Sequence, residues 1–192
     1  MRPARGGGAE VSGFVLWFTG LSAAGKTTIA SNIVPELERR GLVVDHLDGD
    51  IVRTHLSKGL GFSKEDRDAN IARIAWVASR VARAGAAVIV SAISPYEEAR
   101  RHARSLVEPH SPFVEVHVAT PIEECARRDP KGLYAKAFAG EIGEFTGVSA
   151  PYEAPVHPEL RLDTTEATPA ESAAAVLARL EELNLVSSEV VR

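Results

Sequence analysis

Nine residues, Gly20-Leu21-Ser22-Ala23-Ala24-Gly25-Lys26-Thr27-Thr28, restrict what this chain can become more than any other stretch. They fit the pattern G-x-x-x-x-G-K-[ST]. An apolar, β-rich run (Phe14-Val15-Leu16-Trp17-Phe18) precedes them, and a helical pattern with Ile29, Ile33, Val34 and Leu37 on one face follows. Gly20 and Gly25 let the backbone fold tightly, so that consecutive N–H groups from Ser22, Ala23 and Ala24 to Thr28 turn towards one cradle. A helix beginning near Lys26 adds the positive end of its dipole. Lys26 can reach the β- and γ-phosphates of a nucleoside triphosphate, and the Thr27 hydroxyl can ligate Mg²⁺. The bland reading is a glycine turn between strand and helix. Strand, loop, Lys-Thr pair and helix all agree instead on a triphosphate site.

With 192 residues the chain has room for one α/β domain with a sizeable core and too little for two. Its net charge of −4 argues against a general nucleic-acid or anionic-membrane surface, so an anionic substrate must be met by local basic residues. No apolar run approaches the ~20 residues of a membrane span. A single cysteine allows no internal disulfide and fits a reducing cytoplasm. Residues 1–12, with charge but no apolar segment behind it, read as a flexible tail, residues 13–185 as the domain, and 186–192 as a frayed end.

Along the chain, Gly41 is expected to stop the first helix. A second strand, Leu42 to Leu47, then delivers Asp48-Gly49-Asp50 to its C-terminal end, where open α/β sheets bind ligands. Two carboxylates beside a phosphate loop suit Mg²⁺ or a hydroxyl proton; the alternative is an Asp-Gly turn with Asp50 capping a helix. His46 reads as structural. Ser63 looks like the N-cap of a long helix ending near Gly85, with Trp76 on its core face. Arg53, Arg67 and Asn70 cluster around one loop and together could clamp a second anion. Ala87 to Ser91 reads as a strand buried on both faces, Phe113 to Val118 as a fourth strand, and Leu160 to Asp163 as a last short one. Ser94-Pro95-Tyr96-Glu97, Thr120-Pro121-Ile122-Glu123 and Thr168-Pro169-Ala170-Glu171 share one grammar: a Ser or Thr cap, Pro at the first helical position, and Glu closing a capping box. Cys125 reads as a small buried side chain. Residues 127–152, basic, aromatic and glycine-punctuated, read as a lid.

Strands alternating with helices give an α/β, three-layer P-loop NTPase-type fold: a mainly parallel sheet of about five strands, with helices on both faces and a lid. No Asn-Lys-x-Asp guanine signature is present, and the chain is short for a motor ATPase. A basic lid plus a separate Arg/Asn cluster favours a kinase moving a γ-phosphoryl group to a bound acceptor. The residues alone leave the acceptor open.

Several segments in order, Gly20 to Thr28, Leu47-Asp48-Gly49-Asp50-Ile51-Val52-Arg53, Leu60-Gly61-Phe62-Ser63-Lys64-Glu65-Asp66-Arg67, Ile93-Ser94-Pro95, Arg128-Asp129-Pro130-Lys131-Gly132-Leu133-Tyr134 and Phe145-Thr146-Gly147, resemble adenylylsulfate kinases from about Gly13 to Leu183. The resemblance implies transfer of the γ-phosphate of MgATP to the 3′-hydroxyl of adenosine 5′-phosphosulfate (APS), giving its 3′-phosphate (PAPS) and ADP, in a homodimer coupled functionally to ATP sulfurylase. By position it implies that Lys26 and Thr27 hold phosphates and Mg²⁺, and that Asp48 and Asp50 sit near metal and acceptor. Asp50 then ligates the metal or orients or deprotonates the 3′-hydroxyl. Arg53, Arg67 and Asn70 would grip APS, Phe62 and Phe145 sandwich its adenine, and Ile93 and Ser94 join the substrate set. Lys131 and Lys136 belong to the lid, and Arg128 lies near the ATP base. Ser94 also occupies a position thought to be phosphorylated in some members; direct in-line transfer is the expectation here. Against the family's usual pattern, Ile51 replaces Asn, Ala69 and Ala72 replace Glu and Arg around Asn70-Ile71, and Ala23 replaces a frequent glycine. Rival readings are another small-molecule kinase and a catalytically silent domain that senses ATP or PAPS.

Overall fold

The computed structural model describes residues 13–187, so the tail expected at 1–12 and most of the one expected at 186–192 lie outside the described residues. Val186 is buried against the core, and Ser187 accepts a hydrogen bond from Arg40, so the chain is still packed there.

Five strands, β1 (Phe14–Thr19), β2 (Val44–Asp48), β3 (Ala87–Ser91), β4 (Phe113–Val118) and β5 (Leu160–Leu162), form one sheet in the order β2-β3-β1-β4-β5, with every pairing parallel. Parallel pairing needs crossovers, and the helices supply them. They are α1 (Lys26–Arg39), α2 (Gly49–His55), α3 (Lys64–Arg83), α4 (Glu97–Val107), α5 (Ile122–Arg128), α6 (Leu133–Phe138) and α7 (Pro169–Glu182). The alternation of β1 divides the core. Phe14, Leu16 and Phe18 pack with Ile29, Ile33 and Leu37 of α1 and Val176 and Leu180 of α7. Val15 and Trp17 pack on the other face with Ile71, Ile74 and Ala78 of α3 and Ala99, Ala103 and Val107 of α4.

The chain builds the β2–β3 side first and then crosses β1 to reach β4 and β5, which opens a crevice at the carboxyl end of β1. Register does the rest: Phe18 pairs with Ser91 and Ser91 with Asp48, so three strand ends come level.

Several local expectations give way to tertiary structure. β2 starts at Val44 rather than Leu42. Trp76 is not core but 56% exposed, with the Arg80 guanidinium over its ring. Ile74, Ala75, Ala78 and Ala82 form the buried stripe of α3, and a residue two places from Ile74 is turned by about 200° to the opposite face. Ser94 does not cap α4. Tyr96 is the N-cap residue, and the Glu97 N–H donates instead to the distant Glu153 carboxylate at 2.7 Å. Thr120 does not cap α5 either; its hydroxyl donates to the Ala24 carbonyl. Only at Thr168 does the full capping box form. The difference is burial. Ser94 and Thr120 are enclosed, and long-range partners take their hydroxyls, whereas the box bonds of Thr168 are exposed.

Candidate active site

The start of the phosphate loop is held by the segment that follows β3. Gly20 N–H donates to Ile93 O at 3.4 Å, and the Thr19 hydroxyl donates to the same carbonyl at 2.7 Å. Gly20 adopts φ +147°, and a Cβ there would collide with the Val118 carbonyl. Gly25 adopts φ +107° and opens α1. Ala23, between them, sits at φ +59°, a left-handed conformation that costs a non-glycine residue about 1–2 kcal/mol. Ala23→Gly is therefore expected to stabilise the fold by about 0.5–1 kcal/mol, the strain relieved less the extra chain entropy of glycine. Denaturant midpoints measure it. A lowered midpoint would mean that the packing of the Ala23 methyl against the core outweighs the strain.

Lys26 is buried, and its ammonium donates to the carbonyls of Gly20 at 2.9 Å and Leu21 at 2.7 Å. Burial pushes its pKa down to about 8, although Cys125, Asp48 and Asp50 pull the other way. Thr27 donates to Asp48 Oδ2 at 2.7 Å, so phosphate loop and acidic strand end touch directly. Asp48 is the N-cap of α2, and its Oδ1 accepts the Asp50 N–H at 3.0 Å. Burial works against the Asp48 carboxylate, but the Thr27 hydroxyl and the N–H groups of Asp50 and Ile51 outweigh it and hold its pKa below the usual range. Asp50 points outward from the first turn of α2 and forms an ion pair with Lys131, in the turn between α5 and α6. Lys136 stands exposed on α6.

Around the start of α3 a second cluster gathers. Ser63 caps the helix as expected. The exposed Phe62 ring lies under the Arg53 guanidinium, 4.4 Å from its centroid, and Arg53 donates to Gly61 O. Arg67 is buried and donates to Phe62 O, Glu144 O and Thr146 Oγ1, so it bridges the segments that carry Phe62 and Phe145. Asn70 is 7% exposed and its Oδ1 has no partner. Phe145 itself is buried, edge-on to Tyr134 at 5.0 Å, so the two aromatics expected to act as a pair have unlike surroundings. Tyr134, at the start of α6, is part of the core and donates to Ser22 O. Arg128 is tied to Thr164 and Glu124 within reach of Gly25, on the opposite flank of the phosphate loop from Asp50. A cavity of about 680 Å³ opens beside Leu21 between the end of β4 and residues 147–154, next to the phosphate loop rather than over Lys26.

Thr19, Thr146, Tyr152 and Thr164 join these groups and carry no local signature. Arg100, braced against Ser94, has one: with Ala103 and Val107 it shares the apolar stripe of α4, an unusual place for a cation.

The crevice, the phosphate cradle and the carboxylates at its rim define a P-loop kinase, an ATP-dependent phosphotransferase. Residues 12–163 match the sequence profile described as Adenylylsulphate kinase. An adenylyl-sulfate kinase from Chloroflexus aurantiacus is 52% identical over 175 residues, which cover 91% of this chain and 92% of that protein. A probable bifunctional SAT/APS kinase from Sorangium cellulosum is 56% identical over 92% of this chain, which spans 30% of that longer protein. A Mycobacterium tuberculosis APS kinase solved with AMPPNP and APS superposes with a TM-score of 0.86 at 44% identity, over 88% of this chain and 98% of that one. The chain belongs to the adenylylsulphate kinase family.

Proposed function

We propose that the chain transfers the γ-phosphoryl group of ATP to the 3′-hydroxyl of APS, giving PAPS and ADP. One observation carries the reading: a phosphate loop and a separate basic, aromatic cluster flank the same Asp48–Asp50 corner, and the cluster keeps the buried Asn70 oxygen unpaired. A buried acceptor without a donor is costly unless a ligand supplies one. The relative solved with both AMPPNP and APS supports the pairing of substrates.

In this reading residues 20–28 cradle the ATP phosphates, and Lys26 exchanges its two carbonyl partners for phosphate oxygens. Arg128 flanks the base. Arg53, which spends one N–H on Gly61, is the principal grip on the phosphosulfate; Arg67, with three donors already committed, adds charge and holds the segments bearing Phe62 and Phe145. Phe62 offers an open face to the adenine, and Lys131 and Lys136 close the lid. Asp50, exposed and facing the lid, orients the 3′-hydroxyl and accepts its proton. The oxygens of Thr27, Asp48 and Asp50 fit Mg²⁺, which needs only one or two carboxylates when phosphates and water complete its shell. No larger cluster of metal-binding side chains occurs among the described residues. The ion, held by Thr27 and Asp50, would neutralise charge on the transferring phosphoryl group. Transfer is direct, because the Ser94 hydroxyl is enclosed and accepts a hydrogen bond from Trp17 Nε1 at 3.1 Å.

A homodimer is the proposed assembly, with Trp76, Ile51 and Val43 exposed as candidate interface residues. Coupling to an ATP sulfurylase is supported by the bifunctional relative, and a reducing cytoplasm by the free, buried Cys125. No helix among the described residues is long and apolar enough to cross a membrane.

A coupled ADP-release assay with MgATP tests the reaction, comparing APS with AMP, gluconate and no acceptor. APS-dependent turnover is expected. Turnover only with another acceptor would indicate a different small-molecule kinase, and ATP binding without turnover a sensor. Phe62→Ala, at a 59% exposed position, is expected to raise KM for APS about tenfold with little loss of stability. An unchanged KM would remove the adenine contact. Phe145→Ala is a poor probe, since emptying a core position costs about 3–5 kcal/mol.

A further inference from the structure

Arg100 is the most deeply enclosed cation of the second core, its side chain 1% exposed. Its guanidinium reaches three segments besides its own helix. Nη1 donates to Ser94 O at 2.7 Å, beyond the end of β3. Nη2 donates to the Glu97 carboxylate at 2.5 Å and to Glu153 O at 2.7 Å. Nε lies 3.0 Å from Glu115 Oε1 on β4, an ion pair not aligned as a hydrogen bond.

Two of these contacts, to Ser94 and Glu153, lead on to the start of the phosphate loop. Ser94 is held at φ +48°, with Trp17 Nε1 donating to its hydroxyl. The preceding carbonyl, Ile93 O, accepts from Thr19 and Gly20 at the start of the phosphate loop. Glu153 caps α4 through the Glu97 N–H, and its own N–H donates to Pro95 O at 2.8 Å. Tyr152 closes the circuit through its hydroxyl, 2.9 Å from Thr19 Oγ1. A single guanidinium thus fixes the 152–153 backbone, the Ile93–Ser94 corner and, through them, the start of the phosphate loop. Only arginine has the planar fork of donors that such a junction needs. Burying an ion pair is a poor source of stability, and burial raises the pKa of Glu115. The arrangement makes sense as a geometric brace.

We propose that Arg100 is a positioning residue for phosphoryl transfer, setting the distance between the phosphate loop and the acceptor-side wall formed by Ile93, Ser94 and the strap that follows Phe145, without touching either nucleotide. The inference rests on the APS kinase reading, which puts that wall against the acceptor. ATP sits in a cradle made by the loop's own backbone, so loosening the brace displaces the acceptor more than the donor. Small displacements of a reacting group carry large penalties.

Arg100→Lys tests it, keeping the charge opposite Glu115 but losing the fork. The expected result is a rise in KM for APS of about tenfold or more, with KM for ATP within about twofold of wild type and a cooperative melt retained. A lowered melting temperature with both KM values and kcat unchanged would make Arg100 merely structural and overturn the proposal, as would equal rises in both KM values. If the lysine variant fails to fold, Tyr152→Phe removes one bond at the far end of the same circuit; the same selective rise is expected, and unchanged constants would overturn the proposal. Wild-type enzyme inactive on APS would instead overturn the parent reading, so the two failures are distinguishable.

Discussion

Lys26→Ala is expected to lower kcat by about 10³-fold or more while the melting temperature holds or rises. The two effects have one cause. The ammonium is buried in a cradle suited to phosphate charge, with the Gly20 and Leu21 carbonyls as its hydrogen-bond partners. Its pKa falls from 10.5 to about 8, so burial disfavours the charged form by about 3 kcal/mol. That penalty is released when phosphate oxygens arrive, and is released as well when the side chain is deleted. In the reaction, the same ammonium meets charge on the β- and γ-phosphates in a low-dielectric setting, where a single preorganised donor is worth several orders of magnitude. Steady-state ADP release together with thermal melts measures both. Activity within tenfold of wild type would remove Lys26 from the reaction. A sharply lowered melting temperature would show that its two carbonyl bonds stabilise the fold more than burial of the charge destabilises it.

Asp50→Asn is expected to lower kcat by about 10²–10⁴-fold, the usual contribution of a positioned base, with stability changed by no more than about 0.5 kcal/mol. The Asp50 side chain is 73% exposed and its partner Lys131 is 59% exposed, so their ion pair adds little to folding. Asparagine keeps the size and polarity but accepts no proton and binds Mg²⁺ weakly. Asp48 makes a less informative target, because it caps α2 and accepts from Thr27 at once. Measuring kcat alongside chemical denaturation separates the two effects. Near-normal turnover in Asp50→Asn would shift the proton-accepting role to another group, Asp48 being the nearest carboxylate.

Much of the molecule was legible in sequence wherever the cause is local. The phosphate loop was, because two glycines, a lysine and a threonine at fixed spacing between a strand and a helix have few other uses. Alternating apolar strands and amphipathic helices settled a parallel sheet, and the exposed Thr168-Pro169-Ala170-Glu171 box formed as written. The nearness of Arg53, Arg67 and Asn70 to one another followed from a loop running into a helix.

Tertiary structure decided what happens where polar groups are enclosed. Ser94 and Thr120 carry the same cap grammar as Thr168. Once enclosed, they exchange a local N–H for Trp17, Ala24 and Thr164, because an enclosed hydroxyl binds whichever partner packing brings to it. Trp76 went to solvent because the helix phase was set by the alanines of α3 against α4, which periodicity over a mostly small-residue helix leaves ambiguous. Phe145 became core through Tyr134, and Arg67 became a bridge through Thr146, contacts that span loops no local pattern constrains. The chemistry was written in the sequence by residue type and spacing. Which of those residues are free to act, and which are occupied in holding the site together, was fixed only by burial and by partners distant in the chain.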